Sequence, residues 1–489
     1  MDGDSGINVI FRARVLLPTV TGSHMRQADS ARHIPSAAAI LCAALCARAL
    51  LPLIAYTWTR DARIFEAPDT ASYRACAEAL ATSGSFSIGG IPEIVRTPGY
   101  PVLLVPGVAL GRVTAVTVWL QIVLGCVTVW LACRVAFILT GSRQAAAASG
   151  LLCAFEPLSV LYCSLLLAET LFAATLMLFL FLFLIYLKRG RIRHLVAAAC
   201  ALAGSVYVRP IAYWMPLVMT LLLAAAACGR RGRRGKDILS AFEFLCICAA
   251  LIGAWQVRNY LDTGYGGFSA VGDINLYFYH AASVSAAEKG ESYYAAQRRM
   301  GRHEAARLRE AGRQGVQEPQ AARFSRMARE AREILLAHPA TCAAHYARGV
   351  ARTMLDPGAV DYLKFFGRYR EGSGLLGEII DRGLVSTVYG LARVRPALFL
   401  SNLILGLVLI VYLGSALAAF AGGPARGIPL AAVAITALYL IILSGGANAL
   451  GRFRHPVMPL VCVLGGCGLE RIWRGGTAGR RRRVAYVIE

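Results

Sequence analysis

The chain has 489 residues, of which 57% are hydrophobic and only 16% charged, with a mean hydropathy of +0.55. Soluble chains average about 45–50% apolar and about 25% charged residues, and runs such as Leu165–Leu187 can cross ~30 Å of hydrocarbon at about 1.5 Å per residue, so a soluble globular domain is excluded. The net charge of +23 does not argue for nucleic acid: the basic residues form short clusters between apolar runs without aromatic interleaving, a pattern that sets membrane topology and contacts anionic lipid.

In chain order, an N-terminal tail, residues 1–33, carries Arg12, Arg14, Arg26 and Arg32, and Met25 offers an alternative start. The first apolar run, Ile34–Trp58, is too long for a signal-peptide core and has no convincing cleavage site; it reads as an anchor that stays. A first polar loop, 59–112, mixes acids (Asp61, Glu66, Asp69, Glu78, Glu93) with bases. It ends in Pro98–Leu110, which is too short and too punctuated by Pro and Gly to span, and is expected to lie flat at the interface. Further spans are expected at Val113–Leu139, Ala145–Pro157, Leu165–Leu187, Leu195–Val208, Ile211–Cys228 and Ile238–Trp255. Three more follow at Ala397–Phe420, Ile428–Leu443 and Pro456–Ile472. The expected architecture is an all-α polytopic membrane protein of about ten transmembrane helices, with the pair around Arg209 and Pro210 readable as two helices or one kinked element.

This divides the chain into a cytoplasmic tail (1–33), a membrane core (34–256), an external segment (257–395), the C-terminal transmembrane helices (396–473) and a basic tail (474–489). The external segment separates helices 7 and 8; between Ala286 and Ala337 it has helical apolar spacing and few Gly or Pro residues. If the N-terminus is inside, every strong basic cluster (Lys188–Arg193, Arg230–Lys236, Arg480–Arg483, with Arg143 and Arg426) falls on that same face, as the positive-inside rule requires. Both termini are then cytoplasmic, and 59–112 and 256–395 lie outside.

Most of the 14 cysteines sit in apolar runs, where they act as small hydrophobes. Only Cys76 and Cys342 lie well inside polar loops, which leaves room for one disulfide and no framework. No internal repeat, low-complexity linker, P-loop or zinc spacing is present.

The polar residues carry the functional signal. Arg96, Arg209, Arg258, Arg452 and Arg454 fall at or beside the expected outer helix ends, and Glu156 and Glu169 interrupt apolar sequence there. Ionisable groups near membrane depth cost several kcal/mol unless paired or solvated. Mutual pairing would still leave positive charge in surplus. A phosphate-bearing amphiphile supplies the missing anion, gripped by guanidinium forks.

Several stretches then match a known pattern in order: Asp69–Tyr73 (DTASY) before a helix, Arg96–Pro101 (RTPGYP), Pro157 to Glu169–Thr170, Arg209–Pro210, Trp255–Asn259 (WQVRN) and Arg452–Pro456 (RFRHP). With these the chain resembles the polytopic GT-C glycosyltransferases, specifically bacterial relatives of dolichyl-phosphate-mannose–protein mannosyltransferases and lipid A aminoarabinose transferases (glycosyltransferase family 39/83-like). The resemblance covers roughly Pro35–Arg258 and Pro396–Arg474. It implies a polyprenyl-phosphate-linked sugar donor, inversion at the anomeric carbon, and a lipid, glycan or protein acceptor. It also implies the inner membrane of a bacterium, with the site facing the periplasm.

Asp69 matches the first-loop carboxylate that serves as general base. Arg96, Tyr100, Glu169, Arg209, Arg258, Asn259, Arg452, Arg454 and His455 are the candidate substrate-binding residues. Some members of the class use a divalent ion near the first-loop carboxylate, but no ligand spacing supports one here, and no metal ligand is assigned. Two other readings compete, a transporter or flippase and an inactive lipid-binding relative. The absence of repeats and of broken midplane helices weighs against transport.

Overall fold

The computed structural model describes residues 35–228, 234–302, 319–368, 383–420, 427–447 and 449–485. The N-terminal tail with Met25, the arginines 230–233 and Arg426 lie outside the described residues, as do the side chains of Arg480–Arg483.

The described residues fall mostly in helices. In order they are α1 (Ala37–Thr59), α2 (Thr70–Ser83), α3 (Gly99–Ala109), α4 (Val113–Thr140), α5 (Arg143–Phe155), α6 (Pro157–Tyr162), α7 (Glu169–Arg189), α8 (Ile192–Val208), α9 (Met215–Cys228) and α10 (Arg234–Thr263). The segment 257–395 adds α11 (Val271–Asn275), α12 (Ala282–Lys289), α13 (Tyr293–Arg299), α14 (Gln320–Ala337), α15 (Pro339–Leu355), α16 (Ala359–Phe365) and α17 (Leu384–Val394). The chain closes with α18 (Pro396–Ala418), α19 (Ile428–Leu443) and α20 (Met458–Ala485). One two-stranded hairpin, Ser87–Ile88 with Ile91–Pro92, interrupts the first loop.

Among the described residues, seven segments are long and apolar enough to cross a membrane. The helices Arg143–Phe155, Ile192–Val208 and Ile428–Leu443 occupy the places of the other three expected spans but are shorter. The core is central to α7 and to Gly451–Arg474, whose apolar windows are 56% and 78% buried, against 22% for α1, α10 and α18. On α4 the exposed Trp119, Val123, Val127 and Trp130 recur every three or four residues, the single stripe that a helix turns towards lipid. Small residues set the tightest packing. A Cβ at Gly466 would come within 2.0 Å of Ser149 Oγ and one at Gly468 within 2.0 Å of Ser415 O, so these glycines let α20 approach α5 and α18 closely.

Where the sequence left alternatives, backbone chemistry decides. Arg209 is extended (φ −142°, ψ 122°) and Pro210 opens a short 3-10 turn. Proline cannot continue the hydrogen-bond ladder and disfavours helix before it, so the element around it is two helices. The Trp255–Asn259 stretch does not open a loop: α10 runs on through it to Thr263. Neither Cys76 nor Cys342, nor any other cysteine among the described residues, is in a disulfide.

Glu156 has a structural task. It caps α6, accepting from Leu158 N (3.3 Å) and Ser159 N (2.6 Å). Arg48, 1% exposed on α1, closes the other side of the same break by donating to Cys153 O (3.0 Å) and Ala154 O (2.8 Å). A broken helix away from water leaves orphan N–H and C=O groups that must find partners, and this pair supplies them.

Candidate active site

The first loop is fixed onto the bundle before it presents any charge. The α7 N-terminus is held by a turn whose carbonyls at Cys163 and Leu165 accept from Gln121 Nε2 at 3.0 and 2.8 Å. Thr70 Oγ1 reaches Leu166 O at 3.0 Å and receives Ala67 N at 2.9 Å. The RTPGYP stretch crosses α8 at Gly99, where a Cβ would stand 2.8 Å from Tyr207 O, and Thr97 Oγ1 bonds Val208 O at 3.1 Å. Asp69 and Glu169 are thereby brought to the same place from residues far apart in sequence.

Asp69 stands at the N-cap position of α2 but makes no capping bond. Its Oδ1 instead accepts from Arg96 Nη2 at 2.7 Å and its Oδ2 from Arg452 Nη2 at 2.8 Å. Arg452 Nε also donates to Glu169 Oε1, which accepts from Arg209 Nη1 at 3.1 Å as well. Glu169 is wholly buried, and its Oε2 has no hydrogen-bond partner. Arg96 is further oriented by Ser72 Oγ (2.9 Å) and by the Tyr73 ring beneath it (4.8 Å), while Arg209 faces Phe453 (5.7 Å).

Three guanidiniums against two carboxylates leave one positive charge over. Burial would raise the Asp69 carboxyl, but Arg96 and Arg452 outweigh it and hold the group well below the usual carboxylate range. Arg96 is held charged: burial opposes the charge, and Tyr73 and Asp69 more than offset it.

Asp69, Arg96, Arg209 and Arg452 line one wall of a cavity of about 1290 Å³. Further lining comes from the segment 257–395, including Phe268, Asp273 and Tyr279. That segment is bonded to the first loop, with Ala270 N donating to Ile94 O (2.9 Å) and Ser269 Oγ to Val95 O (2.6 Å).

The other sequence candidates sit elsewhere. Tyr100 is fully buried beneath Tyr73 (rings 4.8 Å apart) and donates to Gln121 Oε1 at 2.8 Å. Arg258 donates to Glu93 O (2.8 Å) and Phe86 O (2.7 Å) and pairs with Asp262 (2.9 Å). Asn259 donates to Gly267 O and Phe268 O at 2.9 and 3.0 Å. Both residues fasten the first loop and the external segment to α10. The Gly451–Val457 stretch is a 3-10 turn, whose three-residue repeat sends residues two apart in different directions. Arg452 therefore faces the cavity, while Arg454 turns inward to Thr353 O, Met354 O and Asp356 O at 3.1, 3.1 and 2.6 Å. His455 is 2% exposed against the Tyr162 ring (5.3 Å), with Nδ1 unpartnered. Among the described residues no group of three or more His, Cys, Asp or Glu is placed to hold a metal.

Sequence reasoning did not single out Gln121, Ser72 or Arg48. Arg48 had a signal, a lone cation in an otherwise apolar span; a Gln or Ser gives none until its carbonyl or guanidinium partner is placed.

The fold, a polytopic helical bundle with charged residues gathered at helix ends beside a cavity, is similar to that of solved oligosaccharyltransferases. Residues 96–255 match the sequence profile of the dolichyl-phosphate-mannose-protein mannosyltransferases. The match includes Arg96, Glu169 and Arg209 and leaves out Asp69 and Arg452. Among solved structures, the chain is similar to the archaeal oligosaccharyltransferase AglB from Archaeoglobus fulgidus in complex with an inhibitory peptide and a dolichol-phosphate. That comparison gives 14% identity and a TM-score of 0.50, with 92% of this chain covered and 52% of that one. The apo form of the A. fulgidus oligosaccharyltransferase gives 13% identity and 0.52 over the same shares. The chain thus spans about half the length of those enzymes. ArnT from Cupriavidus metallidurans, 16% identical over 87% of this chain and 77% of that one, superposes at 0.33, too loosely to bear on the fold. None of the curated proteins matches the chain.

Proposed function

We propose that the protein transfers a sugar from a polyprenyl-phosphate donor to an acceptor on the outer face of a bacterial inner membrane, with inversion and with Asp69 as general base. The observation that carries this reading is the ion-paired cluster in which Asp69, Arg96, Arg209 and Arg452 line the cavity and the buried Glu169 pairs with Arg209 and Arg452. Its single surplus charge is complementary to a phosphodiester, which carries one negative charge at neutral pH. The dolichol-phosphate held by the archaeal enzyme of similar fold supports a lipid phosphate in this role. The basic clusters around Lys188–Arg193 support cytoplasmic termini and an outward-facing cavity.

In this reaction the acceptor hydroxyl attacks the anomeric carbon and passes its proton to the Asp69 carboxylate. The bond from that carbon to the phosphate oxygen breaks, and its electron pair stays on the phosphate. Arg96, Arg209 and Arg452 meet the charge that develops there, where fixed donors do most for the barrier. Arg96 and Arg452 cannot serve Asp69 and the phosphate equally well. Donor binding therefore draws them from the carboxylate and restores its basicity.

A second reading, a lipid-phosphate binder without turnover, is favoured by one observation: both oxygens of Asp69 are engaged by arginine. Asp69→Asn separates the two. With radiolabelled polyprenyl-phosphate sugars and a membrane extract as acceptor, the transferase reading expects unchanged donor binding and turnover about a hundredfold lower, ~2.7 kcal/mol in the barrier. Donor that binds to the wild type and is never consumed would establish the binder.

A further inference from the structure

The cavity has a second polar wall that the proposed chemistry leaves unused. Leu276–Ala281 forms a single π-helical turn, in which Ala282 N–H reaches back five residues to Tyr277 O. Such turns are rare and are found mostly at functional sites. Here the widened turn lets three consecutive residues, Phe278, Tyr279 and His280, all line the cavity, which the 100° steps of an α-helix would not favour. The turn is held from behind by the buried Gln297, whose Nε2 donates to Phe278 O at 2.7 Å.

Arg302 lies across the face of Tyr279 at 4.4 Å and donates through Nη2 to its hydroxyl at 2.8 Å. It pairs with no carboxylate among the described residues. His280 lies against Tyr346 (ring centroids 6.0 Å, interplanar angle 27°) and makes no hydrogen bond among the described residues. Burial pushes His280 down, which favours its neutral form. The acids in the same lining are occupied: Asp273 accepts from Tyr265 Oη (2.7 Å), and Glu93 accepts from the backbone N–H groups of Val95 and Arg96 (2.6 and 2.8 Å).

This wall is joined to the ion-paired cluster through the turn that precedes Arg452. The His280 ring packs onto Gly446, where φ is +105° and a Cβ would lie 2.0 Å from His280 Cε1. Ser444 and Gly445 of that turn line the same cavity as Arg452.

We propose that the π-helical turn and Arg302 form the acceptor subsite, and that it takes a glycan-bearing amphiphile with an anionic group, carboxylate or phosphate, next to the sugar that is modified. An aromatic face with a guanidinium stacked on it offers a platform for a sugar ring and a fork for the anion. His280 is left to bond a sugar hydroxyl. The assignment rests on the glycosyltransferase reading and names the acceptor class for it.

Octyl glucuronide and octyl glucoside differ by one carboxylate and serve as the probes. Binding of each is measured directly by calorimetry on the full chain in nanodiscs, and each is also tested as a competitor of transfer to a membrane extract. Wild type should bind the glucuronide about tenfold more tightly than the glucoside, as a charge-assisted hydrogen bond implies. Arg302→Gln should abolish that preference, Arg302→Lys should restore part of it, and Tyr279→Phe, which removes only the hydroxyl anchoring Arg302, should reduce it.

No preference in the wild type, or the same preference in wild type and Arg302→Gln, overturns the subsite. Donor affinity is recorded for each variant, because a parallel loss there would mean a disturbed fold and would also overturn the assignment. Arg302-dependent glucuronide binding without any donor consumption would uphold the subsite and refute the transferase reading, so the two fail separately.

Discussion

Arg452 is the bridge of the ion-paired cluster, and replacing it with glutamine tests whether the cluster acts as a unit. The substitution removes the hydrogen bond to Asp69 Oδ2 and that to Glu169 Oε1. A hydrogen bond to a charged group contributes about 1.5–3 kcal/mol net when buried. The Glu169 bond merits the upper part of that range, because the carboxylate is 0% exposed and keeps only Arg209 as a charged partner. The Asp69 bond is discounted to about 1 kcal/mol, because that side chain is 27% exposed and solvent screens the pair. The expected loss is about 3 kcal/mol of stability, much of it the penalty of leaving Glu169 under-compensated.

Adding Glu169→Gln to Arg452→Gln removes that stranded charge. The double variant should therefore regain about 1–2 kcal/mol relative to Arg452→Gln, a coupling typical of contacting residues. Turnover should stay depressed in both, since neither restores the cation that the proposed reaction places at the leaving phosphate. Fluorescence-detected unfolding in detergent reads the first quantity and donor consumption the second. Strictly additive stability losses, or turnover recovered along with stability, would refute the description of these residues as one coupled cluster facing the phosphate.

The low Asp69 pKa makes a pH prediction whose sign is fixed. The folded carboxyl titrates below its unfolded value of about 3.9, so its ion pairs stabilise the fold above that pH, and this contribution is lost as pH falls towards the folded value. If donor phosphate draws the arginines away, the acid limb of kcat should lie at higher pH than that of kcat/KM, by about a unit or more; coincident limbs would mean that the carboxylate stays locked. Arg454→Met, which removes three carbonyl contacts, should lower thermal stability with a smaller effect on donor affinity than Arg452→Gln, as calorimetry on the folded fraction will read. Gly99→Ala forces a Cβ to within 2.8 Å of Tyr207 O and should reduce the folded yield in size-exclusion chromatography, because backbone on both sides leaves no room to relax.

Membrane character and helix order were legible because they depend on apolar run length, which a bilayer enforces along the chain. The positions of Asp69, Arg96, Arg209, Glu169 and Arg452 could be suspected for a related reason: charge at the end of an apolar run is costly and therefore informative. What could not be read was which arginine faces the cavity. Arg452 and Arg454 are two residues apart in the same motif, and only the 3-10 geometry of Gly451–Val457 separates their directions. Arg258 looked like its neighbours in sequence, yet its guanidinium is taken up by two carbonyls and Asp262. Glu156 illustrates the same limit, because a helix cap and a site carboxylate cannot be told apart until the break at Phe155–Pro157 is placed. The external segment was legible as helical but not in its π turn, which needs knowledge of the packing against Gly446 and Gln297.

The charge balance links these observations to a mechanism. Three arginines gathered without carboxylates would repel one another strongly in a poorly solvated site. Three fully matched by carboxylates would have no reason to receive a phosphate. The cluster lies between these limits, with Glu169 buried as a permanent counter-ion and Asp69 only partly so. In the proposed reaction, Asp69 is therefore the carboxylate that an incoming phosphate would displace from its arginines with the smaller desolvation cost, because water reaches it already. The same partial exposure leaves it accessible to an acceptor hydroxyl in the cavity. In the proposed reaction, a general base released only when the leaving-group phosphate is in place would keep the acceptor inactive until the donor is bound, and binding order would follow from how five side chains share one surplus charge.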